Sequence, residues 1–170
     1  MTYRIAEIED FPTIAKLHAL SWQKHYRGIY SDAYLDKTIF LERATEWQKR
    51  AKESSENRNI ILALEKEEII GFSCTYLNYK NSGESLLDNI HVAAEHQGKG
   101  IGLKLMQESY DWAKGNAPSA TFYLTVLKDN LKSKEFYYRF GGTFEEESKI
   151  ISPDNLEVAI ERISWQTRPA

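Results

Sequence analysis

The stretch IHVAAEHQGKGIGLKL, residues 90–105, joins a short apolar run, a glycine-rich turn and the start of an amphipathic helical pattern. Gly98, Gly100 and Gly102 stand at every second position of the turn. A strand, a glycine turn and a helix start in this order surround a phosphate with backbone N–H groups and the positive end of the helix dipole. Glycine is needed because a Cβ atom would keep an anion away from the main chain. The stretch therefore predicts a phosphate-binding turn.

The spacing of these glycines argues against two common nucleotide-binding motifs. A P-loop needs a glycine, four residues and then Gly-Lys-Ser/Thr, and no window of the chain supplies this. A Rossmann turn needs G-x-G-x-x-G and an acidic residue about 20 positions further on. Here Leu103 takes the place of the third glycine, and residues 121–123 are Thr-Phe-Tyr. A nicotinamide-dependent oxidoreductase is thus a minor alternative.

Composition indicates one soluble domain that spans residues 1–170. With 170 residues, 42% of them apolar and 28% charged, the chain can bury roughly two thirds of its extended surface. A net charge of −3 argues against nucleic-acid binding, and the single cysteine, Cys74, excludes an intramolecular disulfide. There is neither an apolar run of membrane-spanning length nor a secretory signal, so we expect a cytoplasmic protein without a membrane partner.

Apolar periodicity and turn residues predict the order β-α-α-β-β-β-α-β-α-β-β, a mixed α/β layer. The first helix is expected to start at Asp10, which we interpret as its N-cap, and the second at Ser31. A polar loop is predicted at residues 53–58, and a hairpin turn at the tetrapeptide 65–68. The predicted strands are 2–8, 59–64, 69–77, 86–92, 120–126, 143–151 and 156–165, and the later helices are 101–115 and 131–140.

Two motifs resemble those of the GCN5-related N-acetyltransferase (GNAT) superfamily. QGKGIG at 97–102 fits its Q/R-x-x-G-x-G/A pattern, and NLKSKEFYYRFG at 130–141 resembles its N-x-x-A/S-x-x-F-Y-x-x-x-G segment. The early SWQKHYRG at 21–28 also resembles the helix-to-loop region of many members, so the resemblance covers essentially the whole chain. The chain departs from the pattern at Ala94, where many members have proline, and at Gly142, where phenylalanine is usual.

The resemblance implies a mixed, mostly antiparallel sheet of about seven strands flanked by about four helices. It also implies acetyl-CoA as the acetyl donor, bound where the strands ending at Val92 and Val126 splay apart, and no metal. Lys99 could add charge near the phosphates, and Asn130 either contacts the pantetheine arm or caps its helix. The residues assigned to the coenzyme are Ile90, His91, Val92, Gln97, Gly98, Lys99, Gly100, Ile101, Gly102, Leu103, Asn130 and Tyr137.

The implied reaction is direct transfer of the acetyl group to a primary amine through a ternary complex. Tyr137 matches the tyrosine that protonates the departing thiolate, and only the motif register distinguishes it from Tyr138. The amide of His91 or Val92 is the expected oxyanion donor. The alternative is a non-catalytic member that binds an acyl-CoA as a sensor or interaction module.

The general base is left open between Asp88, His91 and ordered water. Asp88 lies two residues after Leu86, the position where some members of the superfamily carry a glutamate, and so on the same strand face. His91 is expected on the opposite face, and its unperturbed pKa suits a base.

The acceptor is expected to be a small-molecule, polyamine, amino-acid or peptide amine. Aromatic residues cluster where the superfamily's acceptor loop lies, and we assign Trp22, His25, Tyr26 and Tyr30 to the substrate. His18 and His25 share a helical face, but no acid or cysteine completes a metal-binding set with them. The oligomeric state is open, with a homodimer as one option.

Overall fold

The computed structural model describes residues 1–53 and 56–170, which form seven strands and four α-helices. The elements are β1 (Thr2–Ile5), α1 (Phe11–His25), α2 (Ile39–Lys52), β2 (Arg58–Glu65), β3 (Glu68–Tyr76), β4 (Ser85–Val92), α3 (Ile101–Asn116), β5 (Phe122–Leu127), α4 (Leu131–Arg139), β6 (Thr143–Ile151) and β7 (Glu157–Trp165). The loop predicted at 53–58 includes Ser54 and Ser55, which lie outside the described residues.

The strands form one mixed sheet in the order β1-β2-β3-β4-β5-β7-β6. Only β4 and β5 run parallel, and every other neighbouring pair is antiparallel. The predicted fold class is therefore confirmed. The parallel pair is bonded only at its start, where Ser85 faces Phe122 and Leu86 faces Tyr123. Beyond these residues β4 and β5 separate, which opens the sheet in the middle.

Helices cover both faces of the sheet, and successive apolar residues of a central strand pack against the helices on alternate faces. On β2, Leu62 packs with Trp47 of α2 and with residues of α1, whereas its neighbours Ile61 and Ala63 pack with Leu105 of α3. This period of two is what a strand buried on both faces requires. Cys74 is fully buried in the core under α1 and α2, as expected for an apolar strand position.

The first strand was predicted too long, whereas the N-cap at Asp10 and the hairpin at residues 65–68 were predicted at the right positions. β1 ends at Ile5 because residues 8–10 form a 3₁₀ turn. Asp10 holds the predicted N-cap position of α1, but its carboxylate accepts from the Glu7 amide at 2.8 Å and pairs with Arg4 at 2.6 Å, so the side chain makes no capping bond to the helix. The hairpin predicted at residues 65–68 is present: Glu65 pairs with Glu68, and Lys66 and Glu67 between them adopt positive φ angles of 49° and 69°, which suit a tight turn between twisted strands.

Candidate active site

A cavity of about 610 Å³ occupies the opening between the separated ends of β4 and β5. Both sequence motifs converge on it, since the glycine turn and α4 line the same space. The structure brings together nearly all the predicted site residues: Trp22, His25, Tyr26, Tyr30, Asp88, Ile90, His91, Val92, Gln97, Gly98, Gly100, Ile101, Gly102, Leu103, Asn130 and Tyr137. Lys99 is the exception, because it is exposed on the turn and does not line the cavity.

The glycine turn presents unpaired donors at the start of α3. Gly98 and Gly100 have φ angles of 77° and 79°, and a Cβ built on either would meet nothing within 4 Å, so open space lies in front of the main chain. The amide of Lys104 bonds to the Gly100 carbonyl at 3.0 Å. The three preceding amides, residues 101–103, have no acceptor within the helix. No acidic side chain stands in the first turn of α3, so the residues present fit an anion such as the coenzyme A pyrophosphate.

Gln97 fastens this turn to the neighbouring elements. Its Nε2 atom donates to the Val92 carbonyl at 3.0 Å and lies 3.3 Å from Nε2 of His25, while its Oε1 accepts from Lys132 at 2.9 Å. Nδ1 of His25 lies 2.8 Å from the Ser21 carbonyl, which fixes it as a donor and leaves Nε2 as the acceptor for Gln97. The side chain thus links β4, α1 and α4 around the turn.

A β-bulge in β4 determines where the two candidate bases lie. Thr75 faces Leu87 and Cys74 faces Asn89, so Asp88 is the extra residue of the bulge. The bulge shifts the alternation by one position. As a result Asp88 forms an ion pair with Arg50 of α2, and His91 hydrogen-bonds with Ser21 of α1. Both side chains therefore lie on the face covered by α1 and α2. The prediction that they occupy opposite faces was wrong.

Asp88 is held as the partner of a buried arginine. Its Oδ2 lies 2.9 Å from Nη1 of Arg50, an ion pair whose angles fall outside hydrogen-bond geometry. The same Nη1 donates to Asn89 at 2.8 Å, and Nε of Arg50 pairs with Glu46 at 2.9 Å. Arg50 therefore fixes Asp88 at the cavity wall.

His91 is packed in a largely apolar environment. Its ring lies 4.6 Å from the ring of His18 and 5.3 Å from that of Phe72, and its Nδ1 is 2.8 Å from the Ser21 hydroxyl. Burial lowers the pKa of His91 to about 3, and the proximity of His25 and Arg43 acts in the same direction. Burial also lowers the pKa of His18 well below its usual value. Both rings are therefore neutral near pH 7.

Tyr137 and Tyr138 have different surroundings. Tyr137 is buried and lines the cavity, and its hydroxyl forms no hydrogen bond with the described residues. Tyr138 is 38% exposed and donates to Glu161 at 2.8 Å, outside the cavity lining. Burial raises the pKa of Tyr137, so its phenol keeps its proton and can donate it. Of the two tyrosines, Tyr137 has the position and the protonation state of a proton donor.

The end of β4 offers a free backbone donor. The Ala93 amide donates to the Ile70 carbonyl of β3 at 2.8 Å, and since successive amides of a strand point to opposite sides, the Val92 N–H points into the opening. The Val92 carbonyl is already taken by Gln97. Of the two amides predicted to donate to an oxyanion, that of Val92 is the one that points into the opening.

These features match a known family over most of the chain. The model of the acetyltransferase (GNAT) family matches residues 12–142. The chain belongs to the GNAT family. GNAT acetyltransferases use acetyl-CoA as the acetyl donor.

Individual relatives of this GNAT domain are distant or matched over short segments. The uncharacterised N-acetyltransferase YuaI of Bacillus subtilis is 26% identical over 162 residues, 94% of this chain and 86% of that protein. YobR, another uncharacterised N-acetyltransferase of Bacillus subtilis, is 42% identical over 55 residues, which are 32% of this chain and only 22% of YobR. The PaiA N-acetyltransferase of Thermoplasma acidophilum, solved with coenzyme A, superposes with a TM-score of 0.75 at 22% identity, over 97% of this chain and 100% of PaiA.

The far end of the GNAT cavity is aromatic. Trp22 lies 5.0 Å from Tyr26 and 5.6 Å from Tyr30, measured between ring centroids. Burial raises the pKa of Tyr26, and it raises the pKa of Tyr30 to about 12, so this wall carries neutral phenols.

Sequence reasoning missed two of the arginines that line the cavity of this GNAT domain, Arg43 and Arg50. They stand seven residues apart on α2, on either side of the buried Trp47, so they share one helical face. Cations on the apolar face of an amphipathic helix are the signal that could have revealed them.

Within the described residues, no three His, Cys, Asp or Glu side chains come close enough together to hold a metal ion. In the same part of the chain, every helix is too short or too polar to cross a membrane.

Replacing Gln97 by Leu is expected to weaken acetyl-CoA binding about fivefold, because loss of the Val92 and Lys132 bonds loosens the anion turn by about 1 kcal/mol. Isothermal titration of the variant with acetyl-CoA measures this. Gln107→Leu is the matched control, since Gln107 bonds a single carbonyl, that of Pro169, at 2.9 Å and lies outside the cavity lining. Equal coenzyme affinity in the two variants would contradict the role given to Gln97.

Acid is expected to destabilise the protein through His91 and His18. An unfolded histidine titrates near 6.5, whereas the folded pKa of His91 is about 3, so between these values the unfolded chain binds more protons. The free energy of unfolding should therefore fall as pH drops below about 6.5, by at most about 1.4 kcal/mol per pH unit for each such ring. Urea titrations between pH 4.5 and 7.5 (roughly the window above carboxyl titration) should show a shallower slope for His91→Gln than for wild type. Parallel curves would rule out this contribution.

Proposed function

We propose that this protein transfers the acetyl group of acetyl-CoA directly to a primary amine within a ternary complex. The proposal rests on one observation, the set of groups that line a single cavity. The anion turn of α3, the free Val92 amide and the phenol of Tyr137 all line the opening between β4 and β5. Membership of the GNAT family supports the same reaction.

The donor is held by the main chain. Amides of residues 98–103 bind the pyrophosphate at the start of α3, where the helix dipole favours negative charge. Gly98 and Gly100 leave the space that this approach needs. The exposed edge of β4 beyond Leu86, left unpaired by β5, is available to hydrogen-bond the pantetheine arm as an added strand would.

Bound acetyl-CoA supplies a thioester carbonyl that an amine can attack. The Val92 N–H donates to the oxyanion that develops on this carbonyl, in a site partly shielded from water. Tyr137 gives its phenolic proton to the departing sulfur, which avoids release of a free thiolate. A neutral phenol is required for this step, and the burial of Tyr137 keeps it neutral.

The incoming amine must lose a proton before or during attack. His91, with a pKa of about 3, holds a proton too weakly to store it at neutral pH. Asp88 remains fixed by Arg50 at the cavity wall, where its charge attracts and orients an ammonium group. In this scheme the amine gives its proton to solvent water, which returns one to Tyr137 after the thiol has left, while Asp88 and His91 position the amine.

Acetyl-CoA turnover tests the proposal. The protein is incubated with acetyl-CoA and a panel of small amines, amino acids, polyamines and peptides, and free thiol is measured together with the shift in melting temperature. Thermal stabilisation by acetyl-CoA and amine-dependent thiol release are expected. Stabilisation without turnover on any amine would favour an acyl-CoA sensor, and stabilisation by NAD(P) instead would overturn the assignment.

A further inference from the structure

Arg43 is a buried cation at the acceptor end of the cavity. It is 9% exposed, its guanidinium carbon lies 4.5 Å from the centre of the Trp22 ring, and it lines the cavity. Its charge acts on the phenols of Tyr26 and Tyr30 and on the ring of His91. Arg43 is therefore in the middle of the residues expected to meet the acceptor.

The hydrogen-bonding capacity of this side chain is largely unused. A guanidinium has five N–H donors. Nη2 of Arg43 forms a hydrogen-bonded ion pair with Glu42, whose second oxygen accepts from Tyr34, and Nε is buried without a partner. Among the described residues Nη1 also has no acceptor. Arg50, by contrast, is paired with Asp88, Asn89 and Glu46.

Trp22 adds a second unpaired donor at the same place. Its indole N–H is buried and has no acceptor among the described residues, although its ring stacks with Arg43. Buried polar groups are nearly always paired in folded proteins, so adjacent donors without acceptors indicate that an acceptor arrives with a ligand. The Arg43 guanidinium and the Trp22 indole N–H are both donors, and one of them is cationic, so an anionic oxygen would satisfy them best.

We propose that Arg43 and Trp22 bind a carboxylate of the acceptor, so that the preferred acceptors are amines that carry a carboxylate, such as amino acids. This inference rests on the proposed acetyl transfer to an amine. Guanidinium and carboxylate pair well because both are planar and charge-assisted hydrogen bonds form between them. The Asp88 carboxylate pairs with Arg50 and not with Arg43, and its charge suits the amine end of the same acceptor.

The same wall disfavours polyamines. A spermidine molecule has several ammonium groups and no anion, and it would bring one of them against the N–H groups of Arg43. The neighbouring phenols of Tyr26 and Tyr30 are neutral and supply no compensating negative charge. Aromatic rings there instead suit the side chain of an apolar amino acid.

The test compares matched pairs of acceptors that differ only in the carboxylate. We measure kcat/KM at saturating acetyl-CoA for two pairs, phenylalanine with phenethylamine and tyrosine with tyramine. Spermidine is measured in the same way as a polyamine without a carboxylate. We expect the carboxylated member to be favoured about 10- to 100-fold, the value of one charged hydrogen-bonded contact. Arg43→Met should bring the ratio of kcat/KM between carboxylated and uncarboxylated acceptors close to one, and Arg43→Lys should keep part of the preference. Trp22→Phe should lower the ratio several-fold, mainly through a higher KM for the carboxylated acceptor.

The control is Arg139→Met, which removes another cavity-lining arginine, at the end of α4, and should keep the wild-type ratio. Melting temperature and acetyl-CoA titration verify that each variant folds and binds the donor. Preference for spermidine, or an unchanged ratio in folded Arg43→Met, overturns the inference and leaves the proposed function standing. Absence of turnover with every amine overturns both.

Discussion

Tyr137→Phe is expected to lower kcat for acetyl transfer by about 100-fold or more, the usual contribution of a positioned general acid. The acetyl-CoA affinity should hardly change, because the ring keeps its packing against Trp165 and only the hydroxyl is lost. Loss of rate without loss of donor binding identifies a group that acts in the transition state. Steady-state kinetics combined with titration of acetyl-CoA separates the two effects.

Tyr138→Phe is the matched control for this prediction. It also removes one phenol, but that phenol donates to Glu161 and lies outside the cavity lining. We expect its kcat to remain close to wild type. If Tyr138→Phe were the inactive variant, or if both variants turned over normally, Tyr137 would not be the proton donor.

Gly100→Ala is expected to raise the dissociation constant of acetyl-CoA by at least about tenfold. Gly100 precedes α3 with a φ of 79°, which costs an alanine roughly 1 kcal/mol, and the new methyl enters the space where the phosphates meet the main chain. Titration calorimetry with acetyl-CoA measures the affinity, and thermal unfolding measures the strain.

Gly83→Ala is the control that distinguishes backbone strain from steric obstruction of the coenzyme phosphates. Gly83 has a φ of 76° and equally open surroundings, but it lies in the turn before β4 and not at the cavity. Both variants should lose similar stability, and only Gly100→Ala should lose coenzyme affinity. Equal affinities in the two variants would show that the turn does not hold the phosphates.

The features that follow from local sequence were predictable. The glycine turn, the strand before it and the helix after it are encoded within residues 90–105, and the second motif fixed the register of Tyr137. The element order followed from periodicity, since each strand and helix shows its own repeat. The opening between β4 and β5 was expected only through the family resemblance, because nothing in the local pattern of either strand states where their pairing stops.

What the sequence did not reveal depends on contacts between distant residues. The bulge at Asp88 shifts the alternation of β4, and only pairing with β3 makes it visible. The depressed pKa of His91 comes mainly from its burial, where the ring packs against His18 and Phe72 from other elements of the fold. The helical pattern places Arg43 on the apolar face of α2, but its contact with the Trp22 ring depends on how α1 and α2 pack together.

The most direct test of the account measures both products of one reaction. The protein is mixed with acetyl-CoA with and without an accepted amine, and free thiol, acetylated amine and the mass of the intact protein are determined over time. Direct transfer predicts thiol and acetylated amine in equal amounts, neither of them without the amine, and an unmodified protein throughout. Thiol release without an acceptor, or a stably acetylated protein, would contradict the ternary-complex mechanism.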